Sequence, residues 1–186
     1  MSCVPRLILL NGPPGVGKSA LARRYVAEHP LAFCLDVDGI RRLIGQWQQH
    51  AQESGLLARR MAVAMVAEHL RGGHDVIAAQ ILARERFIGE LEDVAAGAGS
   101  SFHEIVLLDS RANAIERFHA RAADPELATH HREASAMIEG DAHLGRMYDD
   151  LISLLAHRPH ATLVRTTAGD LEGAYRDVLA AVEGDH

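Results

Sequence analysis

The sequence predicts an α/β fold in which a five-stranded parallel sheet is flanked by helices. Five short apolar runs alternate with seven longer amphipathic stretches, which is the pattern of strands covered by helices. A chain of 186 residues is long enough for one hydrophobic core and short for two. No repeat or linker-like stretch interrupts the alternation. We therefore expect a single domain over residues 1–186.

Each predicted strand is a nearly continuous apolar run, as expected where both faces of a sheet are covered. The strands are predicted at residues 6–11, 32–36, 75–79, 104–109 and 161–166. The helices are predicted at residues 18–29, 38–48, 54–71, 84–96, 110–122, 133–157 and 170–182. In the third helix, the spacing predicts a buried stripe made of Leu57, Met61, Met65 and Leu70.

Composition excludes several classes of protein. A net charge of −6, from 19 basic and 25 acidic residues, disfavours a broad nucleic-acid or anionic-membrane interface. The apolar run at residues 7–10 is too short for a signal peptide or a spanning helix, so we expect a cytoplasmic protein without membrane contact. Cys3 and Cys34 form no CxxC pair and the 12 histidines form no HExxH, which argues against a zinc site.

A glycine-rich loop directly follows the first predicted strand. Its residues Gly12-Pro13-Pro14-Gly15-Val16-Gly17-Lys18-Ser19 fit the phosphate-loop pattern G-x-x-x-x-G-K-[ST] between a strand and a helix. Backbone donors from Gly15 into the first helical turn at Ala20 are expected to cradle the phosphates of a nucleotide. Lys18 supplies a charge to the β and γ phosphates, and the Ser19 hydroxyl binds Mg²⁺. ATP and Mg²⁺ are therefore the expected cofactors.

Lys18 is the only lysine, since the other 18 basic residues are arginines. Guanine recognition by GTPases uses an Asn-Lys-x-Asp segment, which a chain with its one lysine in the phosphate loop cannot contain. Oligomeric ATPases need an apolar strand that ends in Asp-Glu, and no predicted strand ends so. The remaining classes are kinases and nucleotide-binding proteins without catalysis.

Two carboxylates end the second predicted strand. Asp36 and Asp38 lie where a phosphoryl transferase can use one carboxylate to organise Mg²⁺ and another to accept the proton of the attacking hydroxyl. The alternative interpretation is that Asp38 caps the helix that follows.

At these residues the sequence resembles the P-loop small-molecule kinases. Asp36-Val37-Asp38 is similar to the Asp-x-Asp of shikimate kinases, and Asp38-x-x-Arg41 to the Asp-x-x-Arg of polynucleotide kinases and AAA-type kinases. The layout also resembles chloramphenicol phosphotransferase and zeta-toxin-like kinases. The resemblance implies a three-layer P-loop NTPase fold with a small helical lid, Asp38 as the base, Asp36 on the metal side and Arg41 at the acceptor.

Two further segments carry the resemblance. After the third strand, Gln80 stands near the place where the family often has an aspartate, which implies a neutral hydrogen bond to the acceptor. Residues 105–121 resemble the strand, helix and Arg-x-x-x-Arg entry to the lid, which is expected at about residues 121–135. Arg117 and Arg121 are then implied to stabilise the transferring phosphoryl group. An ordinary helix-surface charge is the alternative for Arg117.

The predicted function is an ATP-dependent kinase that phosphorylates a hydroxyl group of a small molecule. A polynucleotide or nucleotide kinase is one alternative, and the Asp38-x-x-Arg41 pattern favours it. The negative net charge disfavours it, as does the low aromatic content of 4%, which offers few side chains on which bases could stack. A regulatory protein that binds nucleotide without catalysis is the other. The acceptor, the choice between ATP and GTP, and the oligomeric state stay open.

Overall fold

A computed structural model describes residues 4–80, 85–122 and 140–184 of the chain. The five strands are β1 (Arg6–Asn11), β2 (Phe33–Leu35), β3 (Val76–Ala79), β4 (Ser101–Leu108) and β5 (Thr162–Arg165). The helices described are α1 (Lys18–Glu28), α2 (Val37–Arg42), α3 (Ala51–Arg71), α4 (Glu85–Gly97), α5 (Arg111–Ala122), α6 (Gly140–Leu155) and α7 (Leu171–Glu183). The strands form one sheet in the order β2-β3-β1-β4-β5, so the predicted α/β fold with a five-stranded parallel sheet is confirmed.

The central strands are buried because their residues are apolar on both faces. Leu7 to Leu10 of β1 are 0% exposed, and their register with β3 runs from Leu7 opposite Val76 to Leu10 opposite Ala79. β2 pairs in parallel with β3, and β4 pairs in parallel with β5. Parallel pairing brings the carboxyl ends of paired strands to the same edge, which is where the loops that carry chemistry begin.

By their internal contacts the described residues form two compact units. The first comprises residues 4–10, 22–80 and 85–104, and the second comprises residues 11–21, 105–122 and 140–184. The first unit contains the turn between β2 and α3, and the second contains the glycine-rich loop. None of the helices described is long and apolar enough to cross a membrane.

Several element boundaries differ from the prediction. Helix α2 ends at Arg42 instead of continuing to residue 48, and Gln46 has a positive φ of 55° that a helix cannot contain. Strand β4 begins at Ser101, three residues early, and the Ser101 amide donates to the Pro5 carbonyl at 3.0 Å. The predicted sixth helix is described only from Gly140, because residues 123–139, which include most of the predicted lid, lie outside the described ranges.

The predicted buried stripe of α3 is largely wrong. Leu57, Met61 and Met65 are 47%, 47% and 41% exposed, and only Leu70 of that stripe is buried. The buried face consists instead of residues spaced by four, namely Ser54, Ala58, Ala62, Val66 and Leu70. Small side chains on this face let α3 pack closely against α2, α4, β2 and β3, so the larger residues are left at the surface.

Candidate active site

The glycine-rich loop of the second unit has the backbone that its sequence predicts. Gly12, Gly15 and Gly17 have φ values of 148°, 90° and 105°, which side chains other than glycine adopt rarely. A Cβ at Gly15 would come within 2.9 Å of the Ala114 carbonyl oxygen and the Phe118 amide nitrogen. Gly15 is therefore required by packing as well as by conformation.

Lys18 opens helix α1 and its side chain folds back over the loop. Its Nζ donates to the carbonyl oxygens of Gly12 at 2.6 Å and Pro13 at 2.8 Å. The helical ladder begins where the Ala20 amide donates to the Gly17 carbonyl at 3.0 Å, so the amides before Ala20 precede it. Ser19 lies in this first turn, where its hydroxyl is available to a ligand at the helix N-terminus.

The residues of the loop fit the phosphates of a nucleotide. A Cβ at Gly17 would have one neighbour within 4 Å, Nη2 of Arg117 at 3.9 Å, so the backbone there borders open space. The buried Val16 side chain packs into the core, which leaves only its main chain for a ligand. Backbone amides, an ammonium group and a guanidinium group around a glycine form a cradle suited to an anion.

Arg117 is held in place by Asp109 and Thr166, two residues for which the sequence predicts no role in the site. Its Nη1 donates to Asp109 Oδ2 at 3.0 Å and to Thr166 Oγ1 at 3.3 Å. The Tyr148 hydroxyl donates to the Asp109 carbonyl at 3.0 Å. Their place in the sequence could have indicated this role, because Asp109 and Thr166 each directly follow the carboxyl end of a strand.

Asp109 is a nearly buried and fully engaged carboxylate, with a side chain 8% exposed. Burial alone would raise its pKa, but hydrogen bonds from Asn113, from the Ser110 amide and from Arg117, together with the charge of Arg117, bring the pKa below its ordinary value. Asp109 is therefore ionised at neutral pH and acts as the fixed counterion of Arg117.

In the first unit, Asp36 is the N-cap of α2. Its Oδ1 accepts from the Gly39 amide at 2.9 Å, and its Oδ2 accepts from Arg42 at 3.2 Å. The alternative that Asp38 caps this helix is wrong, because the cap is two residues earlier. Both oxygens of Asp36 are engaged by protein groups, and its assignment to the metal stays a prediction.

Asp38 lies in the first turn of α2 with an exposed side chain. Within the described ranges its carboxylate takes part in no hydrogen bond or ion pair. The protein atoms around it raise the pKa of its carboxyl above the ordinary value, the charge of Asp36 raises the pKa further, and Arg42 and Arg41 oppose the shift. Asp38 is thus an accessible carboxylate that binds a proton more readily than a typical aspartate.

Arg41 is fixed by the start of α3. Its Nε donates to Ser54 Oγ at 3.1 Å and its Nη2 to the Ala51 carbonyl at 2.6 Å. The Cζ atom of Arg41 also lies 5.1 Å from the centre of the Trp47 ring. The main-chain carbonyl of Trp47 accepts a hydrogen bond from Ser54 Oγ at 2.9 Å. Sequence reasoning missed Ser54, because a buried serine in a helix carries no motif.

The structure brings the predicted residues together in two groups. Residues 12–20 and Arg117 meet in the second unit, and Asp36, Asp38 and Arg41 meet in the first. Gln80 follows β3, and its amide donates to the Leu10 carbonyl at 3.1 Å. The side chain of Arg121 and the predicted lid beyond Ala122 lie outside the described residues.

A family model described as an AAA domain, AAA_33, matches residues 7–139. No curated protein sequence matches the chain. A gluconokinase from Sinorhizobium meliloti 1021 is similar in structure, with 18% identity, a TM-score of 0.62, and 96% of this chain and 92% of that chain covered.

Two other solved structures share the fold. The tunicamycin resistance protein of Deinococcus radiodurans has 15% identity and a TM-score of 0.58, with 96% of this chain and 95% of that chain covered. A chain of the Pnkp1/Rnl/Hen1 RNA repair complex has 16% identity and a TM-score of 0.60, with 84% of this chain and 47% of that chain covered. At these identities the likeness establishes the fold.

Proposed function

The chain belongs to the AAA_33 family of AAA domains, a P-loop kinase family, and from that premise we propose that it transfers the γ-phosphoryl group of ATP to a hydroxyl group of a small molecule. The observation that carries the proposal is the glycine loop with the Lys18 ammonium folded over it, next to the Arg117 guanidinium. We further propose that the protein works in the cytoplasm as one kinase domain.

On this proposal the phosphate-binding residues neutralise charge. The loop amides and Lys18 hold the phosphates, Arg117 stabilises charge on the transferring group, and Arg121 has the same role from the end of α5. Gly12 to Ala20 form the nucleotide site, with Pro13 and Pro14 shaping its entry. Ser19 and Asp36 would hold Mg²⁺, which supplies further positive charge when bound.

Asp38 is the proposed base. As the acceptor oxygen bonds to the γ-phosphorus, the bond from that phosphorus to the β–γ bridging oxygen breaks, ADP leaves, and the hydroxyl proton passes to Asp38. Support comes from its exposed carboxylate and raised pKa, in contrast to Asp36, whose oxygens are both engaged. Arg41 and Gln80 are the proposed acceptor contacts.

The test is ATP-dependent transfer to a panel of sugars, sugar acids, polyols, nucleosides and hydroxylated antibiotics. For an acceptor that is phosphorylated, Asp38→Asn is expected to lower kcat by about 10²- to 10⁴-fold and to leave ATP affinity unchanged, because the amide cannot take the proton. Asp93→Asn, the same change at an exposed position of α4, is the control. Unchanged turnover in Asp38→Asn would remove Asp38 as the base.

A polynucleotide kinase is the second candidate, favoured by the Asp38-x-x-Arg41 pattern. It predicts phosphorylation of oligonucleotide ends with activity that falls steeply as salt rises, since phosphate contacts release counterions. A small-molecule kinase is expected to show little salt dependence. Tight ATP binding with no transfer to any acceptor would instead support a regulatory nucleotide-binding protein.

A further inference from the structure

Helix α3 contains a glycine at a place where the backbone does not need one. Gly55 is not among the residues with positive φ, and a Cβ added there would meet nothing closer than 3.9 Å. Glycine inside a helix costs about 0.5–1 kcal/mol relative to alanine. Packing and conformation therefore give no reason for this glycine, and the space beside it is the feature to explain.

Two guanidinium groups border that space. Nη1 of Arg59 lies 3.9 Å from the position a Gly55 Cβ would take, and Cζ and Nε of Arg41 lie 4.0 Å from it. Arg59 is one turn further along α3, whereas Arg41 comes from α2. Two positive charges from different helices thus face the same small volume.

Neither guanidinium forms a salt bridge in the part of the chain that the structure describes, although the charge of Arg41 acts on the nearby Asp38 carboxylate. Arg41 donates to Ser54 Oγ and to the Ala51 carbonyl, and Arg42, next in sequence, is the residue that pairs with Asp36. Both Arg41 and Arg59 are half-buried. Half-buried like charges repel each other, and an anion between them would remove that repulsion.

We propose that the space beside Gly55 is a subsite for an anionic oxygen group of the acceptor, a carboxylate or a phosphate, held between Arg41 and Arg59. This inference rests on the proposed function, because Asp38 and Arg41 lie three residues apart in α2 and so present the base and the subsite on one side of that helix. The bonds from Nε and Nη2 of Arg41 to Ser54 and Ala51 fix its plane before an acceptor arrives. Among the described residues its Nη1 makes no hydrogen bond, and on this proposal Nη1 is the donor that serves the anion.

The subsite can be tested without knowing the acceptor. Inorganic sulfate is titrated calorimetrically into the full chain saturated with Mg²⁺ and a non-hydrolysable ATP analogue, which fills the phosphate loop. The unsubstituted protein is expected to bind sulfate, and Arg59→Gln to bind it at least about 10-fold more weakly, because a charged hydrogen bond is lost. Arg71→Gln removes an exposed charge from the same helix and is expected to bind as the unsubstituted protein does.

Gly55→Ala separates the subsite from folding. The added methyl group would make only ordinary contacts, so Tm is expected to stay the same or rise, while sulfate affinity falls at least about 10-fold because the methyl group fills the space. Absence of sulfate binding to the unsubstituted protein, or equal sulfate affinity in Arg59→Gln, would overturn the proposal.

Transfer assays then separate this inference from the proposed function. Matched acceptors are D-gluconate with D-glucitol, and adenosine 3′-monophosphate with adenosine. We expect transfer to favour an anionic member, and Arg59→Gln to reduce that preference at least about 10-fold with the KM for ATP unchanged. Equal kcat/KM for both members of a phosphorylated pair contradicts the subsite and supports the kinase. Sulfate binding that Arg59→Gln weakens, without transfer to any acceptor, contradicts the kinase and supports the anion site.

Discussion

Asp38 and Asp109 each follow a strand of the sheet, yet their surroundings shift their pKa values in opposite directions. Partial desolvation by the surrounding protein and the charge of Asp36 raise the pKa of the exposed Asp38, whereas hydrogen bonds and Arg117 outweigh burial and lower the pKa of Asp109. Asp109 has its partners in the folded chain, and Asp38 has none among the described residues. The difference separates a carboxylate that positions another residue from one that is available for proton transfer.

The two regions that contain Asp109 and Asp38 also differ, because one depends mainly on its main chain and the other on its side chains. In the second unit, the glycine-rich loop owes its shape to glycines at 12, 15 and 17, and the phosphate binding proposed for it would come mainly from the main chain and Lys18. In the first unit, the turn from β2 to α3 depends on side chains such as Arg41 and Ser54. We expect substitutions in the first unit to affect the acceptor and those in the second to affect the nucleotide.

Among substitutions in the nucleotide site, Lys18→Ala is expected to have the largest effect. It should lower kcat/KM by about 10³-fold and weaken ATP binding, whereas Asp38→Asn should leave ATP binding intact. Lys18→Arg should not restore activity, because a planar guanidinium does not fit the place of a compact ammonium. Calorimetric ATP titration of the three variants checks this. ATP affinity unaltered in Lys18→Ala would break the division between the two regions.

A pair of glycine variants sharpens the account of the loop. Gly15→Ala should lower the free energy of unfolding by about 3 kcal/mol, because its Cβ would lie 2.9 Å from main-chain atoms that cannot move easily. At Gly17 an added Cβ would border open space, so Gly17→Ala should lower the free energy of unfolding by only about 1 kcal/mol, because of the φ of 105°. The methyl group would, however, occupy the space proposed for phosphate, so ATP should bind at least about 10-fold more weakly. Urea unfolding and ATP titration measure the two effects. Equal losses of stability would contradict the distinction.

The sequence predicted the sheet and the backbone of the glycine-rich loop well because both are local patterns. Continuous apolar runs mark buried strands, and glycines at fixed spacing mark a loop whose backbone needs them. Prediction from the sequence failed where burial or a hydrogen bond depends on residues that are far apart in the chain. Leu57, Met61 and Met65 look like a core stripe, but the small residues between them pack against the neighbouring elements. The Arg117–Thr166 and Arg41–Ser54 hydrogen bonds join residues 49 and 13 positions apart and have no motif.

Asp109→Asn should affect stability and nucleotide binding moderately. The amide can still accept from Ser110 but loses the charge opposite Arg117, so we expect a loss of about 1–2 kcal/mol at pH 7 and a higher KM for ATP. A lowered pKa stabilises the fold above the ordinary value of 3.8, and that contribution is lost as pH falls through the pKa of Asp109. The variant and the unsubstituted protein should therefore converge in urea unfolding at acid pH. A gap that persists unchanged there would contradict the ion-pair account.

The smallest expected effect is a shift in the pH dependence of turnover. If Asp38 is the base, it works only when ionised, so kcat/KM falls as pH drops through its pKa, which lies above 3.8. Asp36→Asn removes the neighbouring negative charge, keeps a good helix cap and frees Arg42, so the acid limb should move to lower pH. The shift should remove only part of the elevation of the Asp38 pKa, because desolvation by the surrounding protein, the larger cause, remains. The measurement is made at saturating Mg²⁺, so that a metal role of Asp36 appears separately in a Mg²⁺ titration. An acid limb that does not move would mean that another group controls it, and Asp38 would no longer differ from Asp109 in the way proposed.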